Sequence, residues 1–275
     1  MFGSGISFAA TEASGDCEPG AFCPPSLKEE FFKGAVLFEG TPFELDRIMI
    51  IRLLAIAVMV LLFWLALRNP KVVPTKGQSI AELAIGFVKS NVVDGVLGEK
   101  LGAKYLPLLA AMFFGIFAMN ITGLIPGLNI SGNARIGMPL VLAVVAYIAF
   151  VWAGIREAGG GTFLKNALFP PGVPWPLYVL LTPLEFINVF IVRPISLSLR
   201  LFLNMMVGHL LLVLCFSATQ FFLLLLPSGF AGFSVLTLAG GFIMTLLELL
   251  VAVLQAFVFT LLTAVYIQQA ASKEH

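Results

Sequence analysis

The chain has 275 residues, of which 59% are hydrophobic and only 11% charged, with 26 phenylalanines and a formal net charge of +1. Soluble domains carry about 25% charged residues, so the composition argues against an ordinary cytosolic enzyme, and the balanced charge supplies no basic stripe for nucleic acid. Of the 16 basic and 15 acidic residues, 21 precede Tyr105 and only eight fall between Tyr105 and Ser272, which assigns the last two thirds of the chain to lipid.

Residues 1–47 are polar and dotted with Gly and Pro, and they lack the basic start of a cleaved signal peptide. They are expected to form an extracytoplasmic tail. Cys17 and Cys23 lie in it, where a bridge and two free thiols are equally compatible with the spacing. Without water in the hydrocarbon each backbone amide must pair internally, so apolar runs of roughly 20 residues read as transmembrane helices. The first is 48–67, charge-free after Arg52, whose place near the outer end lets it snorkel to the interface. Within 78–101, Ile80, Leu83, Ala84, Phe87 and Val88 recur at helical spacing opposite Ser79, Glu82 and Lys89. This predicts an amphipathic helix on the cytoplasmic surface, or else one packed on the bundle.

Further spans are expected at 105–125, closed by Pro126 and Gly127, and at 137–155. The 165–185 stretch holds Pro170, Pro171, Pro174, Pro176 and Pro183, so a kinked or interfacial entry is expected there. From 201 to 247 there is no formal charge, and Pro227, Ser228 and Gly229 divide this run into two long helices. Cys215 reads as a packing residue. The spacing of His and Cys offers no metal site. The expected fold is an all-α integral membrane protein. It has one membrane domain, 48–275, with about five transmembrane helices and an amphipathic interfacial helix, the last two spans forming a long, tilted hairpin over 177–270.

Orientation follows from basic residues in short flanks. Three basic residues and eight acids precede Ile48, whereas 68–104 holds six basic residues and three acids. The N-terminus is therefore expected outside and, with five spans, the C-terminus in the cytoplasm.

Four charges stand in the closing region: Glu185, Arg193, Arg200 and Glu248. Each costs about 2.5–3.5 kcal/mol at a helix centre and so marks an ion path or a paired site. Arg193, beside Pro194, reads equally as an interfacial anchor. In an antiparallel hairpin, residues equally far from the 227–229 turn share a depth, which levels Arg200 with Gln255 and His209 with Glu248. At 100° per residue, Ser196, Arg200 and Asn204 share one face, Glu248 and Gln255 share another, and His209 lies half a turn away from Arg200. Arginine stays protonated and acts as a barrier. Histidine, titrating near pH 6.5 when unperturbed, and a neighbouring glutamate can exchange protons.

The segment 193–209, RPISLSLRLFLNMMVGH, resembles the signature of the a subunits of F-type ATP synthases, membrane stators of a rotary motor. So do 74–78 with the helix that follows, NITGLIP at 120–126, and LQAFVFTLLTAVY at 254–266. The resemblance implies that Arg200 faces the carboxylates of a rotating c-subunit ring, with Asn204 and Gln255 as its polar neighbours and Ser196 on the same face. It places His209 and Glu248 in the outer proton half-channel and Glu185 near the cytoplasmic exit. In the best-studied bacterial members the acid and the histidine occupy the opposite helices. Leu203 stands where a glycine is common. The implied partners are the c ring, the peripheral-stalk b subunits, the other ATP synthase subunits and the bilayer of a bacterial plasma membrane. No cofactor and no nucleotide site are implied, and no Gly-rich phosphate loop is visible. Proton translocation is thus the chain's expected role, without catalysis of its own.

A secondary transporter or channel also uses intramembrane Arg, His and Glu, but it predicts an internal repeat, and none is visible. An intramembrane enzyme would need a nucleophile beside His209 and Glu248, where Ser217 and Cys215 lack any supporting motif.

Overall fold

The computed structural model describes residues 46–68, 70–125, 130–168, 177–224 and 231–272. The tail with its two cysteines, the prolines at 170–176 and the 227–229 turn lie outside the described residues. Five helical runs are long and apolar enough to cross a membrane: Arg47–Leu67, Lys76–Leu124, Gly137–Ala158, Leu180–Leu223 and Gly232–Ala271. Among the described residues there is no strand. The chain is an all-α, multi-pass membrane protein.

By packing it divides into two units, one of Ala35–His209 with Leu247–His275 and the other containing Leu210–Leu246. The larger unit opens with α1 (Arg47–Leu67), which is apolar on every side. Ile48, Ile51 and Ala55 turn inward, while Leu53, Leu61 and Trp64 stay exposed, as lipid-facing side chains do. α2 (Lys76–Val88) is capped by the Thr75 hydroxyl, which accepts from the Gln78 N–H at 3.5 Å. Of its apolar stripe only Val88 is fully buried, and Ile80 and Leu83 point away from the chain at 69% and 77% exposure.

A wide helical turn, Lys89–Asp94, leads into α3 (Gly95–Ile121), which tightens at Thr122–Leu124. The surface helix and the second span, expected as separate pieces, are two helical segments that meet at Gly98, where the backbone leaves helical geometry; its φ of 70° and ψ of 174° belong to a region only glycine occupies readily. Gly98→Ala is expected to lower stability by about 1–2 kcal/mol, read as a lower melting midpoint of the detergent-solubilised protein.

α4 (Gly137–Ala153) ends in a second wide turn, Gly154–Ala158, followed by α5 (Gly160–Leu168). An ion pair between Lys104 and Glu157 ties α3 to that turn. α6 (Tyr178–Ile187) passes through a third, Asn188–Val192, into α7 (Arg193–Leu224). Of the prolines expected to kink this entry, only Pro183 lies among the described residues. Pro183 sits inside α6, and the Arg193 N–H reaches back to Asn188 O, one residue further than in an α-helix. That widening makes room for the ring of Pro194 and for its missing donor. The run Leu180–Leu223 has 44 residues, well over the roughly 20 that a helix needs to cross the hydrocarbon.

α8 (Ala231–Ala271) closes the fold. In the larger unit its 247–271 half packs with α3 and with the first turns of α7, where Leu109, Ile116, Leu197, Leu201 and Phe259 form the centre of the core. Lipid removes most of the hydrophobic drive between helices, so close backbone approach matters more. Ala252, Ala256 and Ala264 supply it on the buried face of α8. In the smaller unit, 210–224 of α7 and 231–246 of α8 run antiparallel. Thr219 Oγ1 lies 2.9 Å from Thr237 Oγ1, and the rings of Phe222 and Phe233 are 6.0 Å apart.

Candidate functional site

All seven residues singled out from the sequence belong to the larger unit. The helical period sorts those on α7. Leu197, Leu201 and Met205 enter the core, so Ser196, Arg200 and Asn204 emerge on the opposite, exposed side. Arg200 is flanked there by exposed Leu199, Leu203 and Val207, and among the described residues it has no hydrogen-bond or ion-pair partner. Ser196 turns its hydroxyl back to Arg193 O at 3.1 Å. The residue that meets Gln255 is Asn204, one turn beyond Arg200, whose Nδ2 donates to Gln255 Oε1 at 2.8 Å. Glu185 is half-buried on α6, roughly 22 Å along the helical run from Arg200.

His209 and Glu248 are buried, at 1% and 5% exposure, and lie close enough to interact electrostatically. The Glu248 carboxyl lies beside Gly208, 3.6 Å from where a Cβ on that residue would stand, which is an ordinary van der Waals distance. Both Glu248 carboxylate oxygens and Gln255 Nε2 are buried without a hydrogen-bond partner among the described residues. Buried polar atoms in that condition call for a hydrogen-bonding water or a group from another subunit. Arg193 serves the architecture, with its guanidinium over the Tyr266 ring at 4.9 Å and donating to Gln269 Oε1 at 3.1 Å. It pins the start of α7 to the end of α8.

Near the outer end of α1, the Arg52 Nε donates to Gly132 O at 2.6 Å and one Nη to Arg135 O at 3.3 Å, so loop carbonyls after α3 satisfy the guanidinium. Arg135 itself pairs with Asp46. Asn120, Thr122, Ser131 and Asn133, buried and joined in one network, were missed as a group. The available signal was the clustering of small polar residues between 120 and 133 in an otherwise apolar chain. Among the described residues no three His, Cys, Asp or Glu side chains are grouped to hold a metal.

Against this geometry stand the relatives. The family described as ATP synthase A chain matches residues 49–268. ATP synthase subunit a of Rhodococcus erythropolis is 49% identical over 249 residues, 90% of each chain. Its counterpart in Pseudarthrobacter chlorophenolicus is 38% identical over 253 residues, 92% of this chain and 94% of its own. That of Streptomyces lividans is 36% identical over 230 residues, 84% and 81%. With nearly the whole membrane region matched, the chain belongs to the ATP synthase A chain family.

Proposed function

We propose that this chain is the stator subunit of a rotary ATP synthase membrane motor, and that it provides two offset proton half-channels with Arg200 as the barrier between them. The observation that carries this reading is Arg200 itself. It is a permanently charged guanidinium on the outward side of a long membrane helix, set among exposed leucines and a valine and without a partner among the described residues. Such a charge is costly against lipid and is stabilised by a carboxylate brought to that apolar face by another subunit. A ring of small helices, each carrying one acid, has the required chemistry.

Arg200 lies between two polar stations on the helical run from α6 through α7. Glu185 is roughly 22 Å to one side and His209 roughly 13 Å to the other. The total is comparable with the thickness of the hydrocarbon, about 30 Å. With the N-terminus outside and the C-terminus in the cytoplasm, as the lysine and arginine counts indicate, His209 and Glu248 belong to the outer path and Glu185 to the cytoplasmic exit. A proton entering from outside passes His209 and Glu248 and neutralises a ring carboxylate, which can then turn into lipid. A carboxyl arriving from the other direction meets Arg200, loses its proton toward Glu185 and is held ionised. Asn204 and Gln255, bonded to each other, lie beside that encounter. Each proton crossing 100 mV releases about 2.3 kcal/mol, so several must be combined by rotation for one ATP made elsewhere in the complex.

Purification of the tagged chain from its native membrane in mild detergent tests this reading. A ring of small apolar subunits bearing carboxyl groups, together with stalk and catalytic subunits, is expected to accompany it. Recovery as a solitary chain from membranes that contain an intact ATP synthase overturns the proposal.

A further inference from the structure

In the larger unit, α1 and α3 meet through the rings of Phe63 and Phe114, whose centroids are 4.7 Å apart. Two clefts share those rings as part of their walls. The larger, about 580 Å³ in volume, lies between Met59 and Trp64 of α1 and Ala110, Ala111 and Gly115 of α3, and Arg68, just past the end of α1, completes its lining. The second, about 490 Å³, extends to Gly77, Ile80 and Ala84 of α2. Both have the size of ligand sites, roughly 300–1,000 Å³.

Small residues commonly let membrane helices approach each other closely. Here they face open space, since a Cβ placed on Gly115 or on Gly77 would meet nothing within 4 Å. Apart from Arg68 the walls are almost wholly apolar, so they offer water too few partners to hold it. An empty space between such walls forfeits dispersion contacts on both sides. A helix is 10–12 Å across, and the larger cleft has room for roughly one of its turns. Unbranched hydrocarbon fits a narrow apolar cleft better, and two adjoining clefts match the two chains of a phospholipid.

The charges select its headgroup. From Arg68 to Lys76 the sequence carries Arg68, Lys71 and Lys76 and no acid. All three are exposed, and among the described residues none forms an ion pair. The Arg68 guanidinium lies over the Trp64 ring at 5.3 Å, which keeps it beside the cleft. Lys71 is held through its backbone: its N–H donates to Gln78 Oε1 at 3.1 Å, and its carbonyl accepts from Gln78 Nε2 at 3.2 Å. The first acid of α2, Glu82, accepts from the same Gln78 Nε2 at 2.7 Å. Val72 and Val73, between the lysines, are exposed and suited to dip among acyl chains. Cations clustered at the cytoplasmic end of a span attract anionic lipid, and guanidinium grips phosphate well.

We propose that these two clefts hold the acyl chains of one anionic phospholipid of the cytoplasmic leaflet, its phosphate bound by Arg68, Lys71 and Lys76. The choice of leaflet rests on the orientation inferred above. The lipid fills the space between α1, α2 and α3 and fixes the first two against the third.

The test uses the assembled complex, reconstituted in phosphatidylcholine vesicles that contain phosphatidylglycerol with a photoactivatable diazirine in one acyl chain. After irradiation, lipid adducts are mapped by peptide mass spectrometry. Adducts on the cleft residues of α1 and α3 are expected, roughly tenfold stronger than those from phosphatidylcholine carrying the same diazirine. Arg68→Gln should lower labelling by phosphatidylglycerol about fivefold and leave the phosphatidylcholine background unchanged. Gly115→Leu, whose added side chain enters the larger cleft, should lower it severalfold with all three cations in place. Equal labelling by the two lipids reduces the clefts to ordinary lipid contact and overturns the proposal. A cross-link from benzoylphenylalanine introduced at position 59 to another subunit also overturns it, because a protein segment then fills the space. Should the variants fail to assemble, competition between the two lipids for the unsubstituted complex still decides. Labelling is read without proton flow, so its failure leaves the motor standing.

Discussion

Arg200→Ala is expected to reduce ATP-driven proton pumping below detection, a loss of more than about a hundredfold, while the subunit still assembles. Assembly survives because the guanidinium is exposed and bonds nothing in its own chain among the described residues. Its removal leaves no buried group unpaired. On the proposed mechanism, function fails because nothing then holds an arriving ring carboxylate ionised, and the two proposed half-channels can exchange protons without rotation. Arg200→Lys keeps the charge but loses the planar fork that grips a carboxylate, so it should retain little of the activity. Fluorescence quenching in inverted vesicles measures the pumping, and a native gel of the extracted complex measures assembly. Normal pumping by a fully assembled Arg200→Ala complex would refute the barrier role.

Glu248→Ala and His209→Ala should each slow proton flow by roughly tenfold or more and change its dependence on outer pH. A positioned side chain that relays a proton commonly contributes 10²- to 10⁴-fold, and water in the vacated space recovers part of that. The two residues are both buried, and the Glu248 carboxyl lies beside Gly208, the neighbour of His209. The double variant is therefore expected to lose much less than the product of the single losses, the mark of groups acting as a unit. Conservative Glu248→Asp should keep more flow than Glu248→Ala, because it retains an ionisable group in the same space. Flow rates and pH profiles that match the parent in both single variants would remove His209 and Glu248 from the path.

The spans could be read from the chain alone because lipid forbids unpaired backbone and free charge over a fixed thickness. That constraint is local and appears directly as long charge-free runs. The opposite outlooks of Arg200 and His209 follow from the helical period, which depends on nothing distant. The shared depth of His209 and Glu248 needed only an antiparallel turn near 227–229. Three-dimensional packing settled contacts between segments far apart in sequence. Arg52 found carbonyls some 80 residues away, Asn120 found Ala252 across more than a hundred, and Gln255 bonded Asn204. No periodicity records such choices, because they depend on which polar groups remain unsatisfied once the helices have packed.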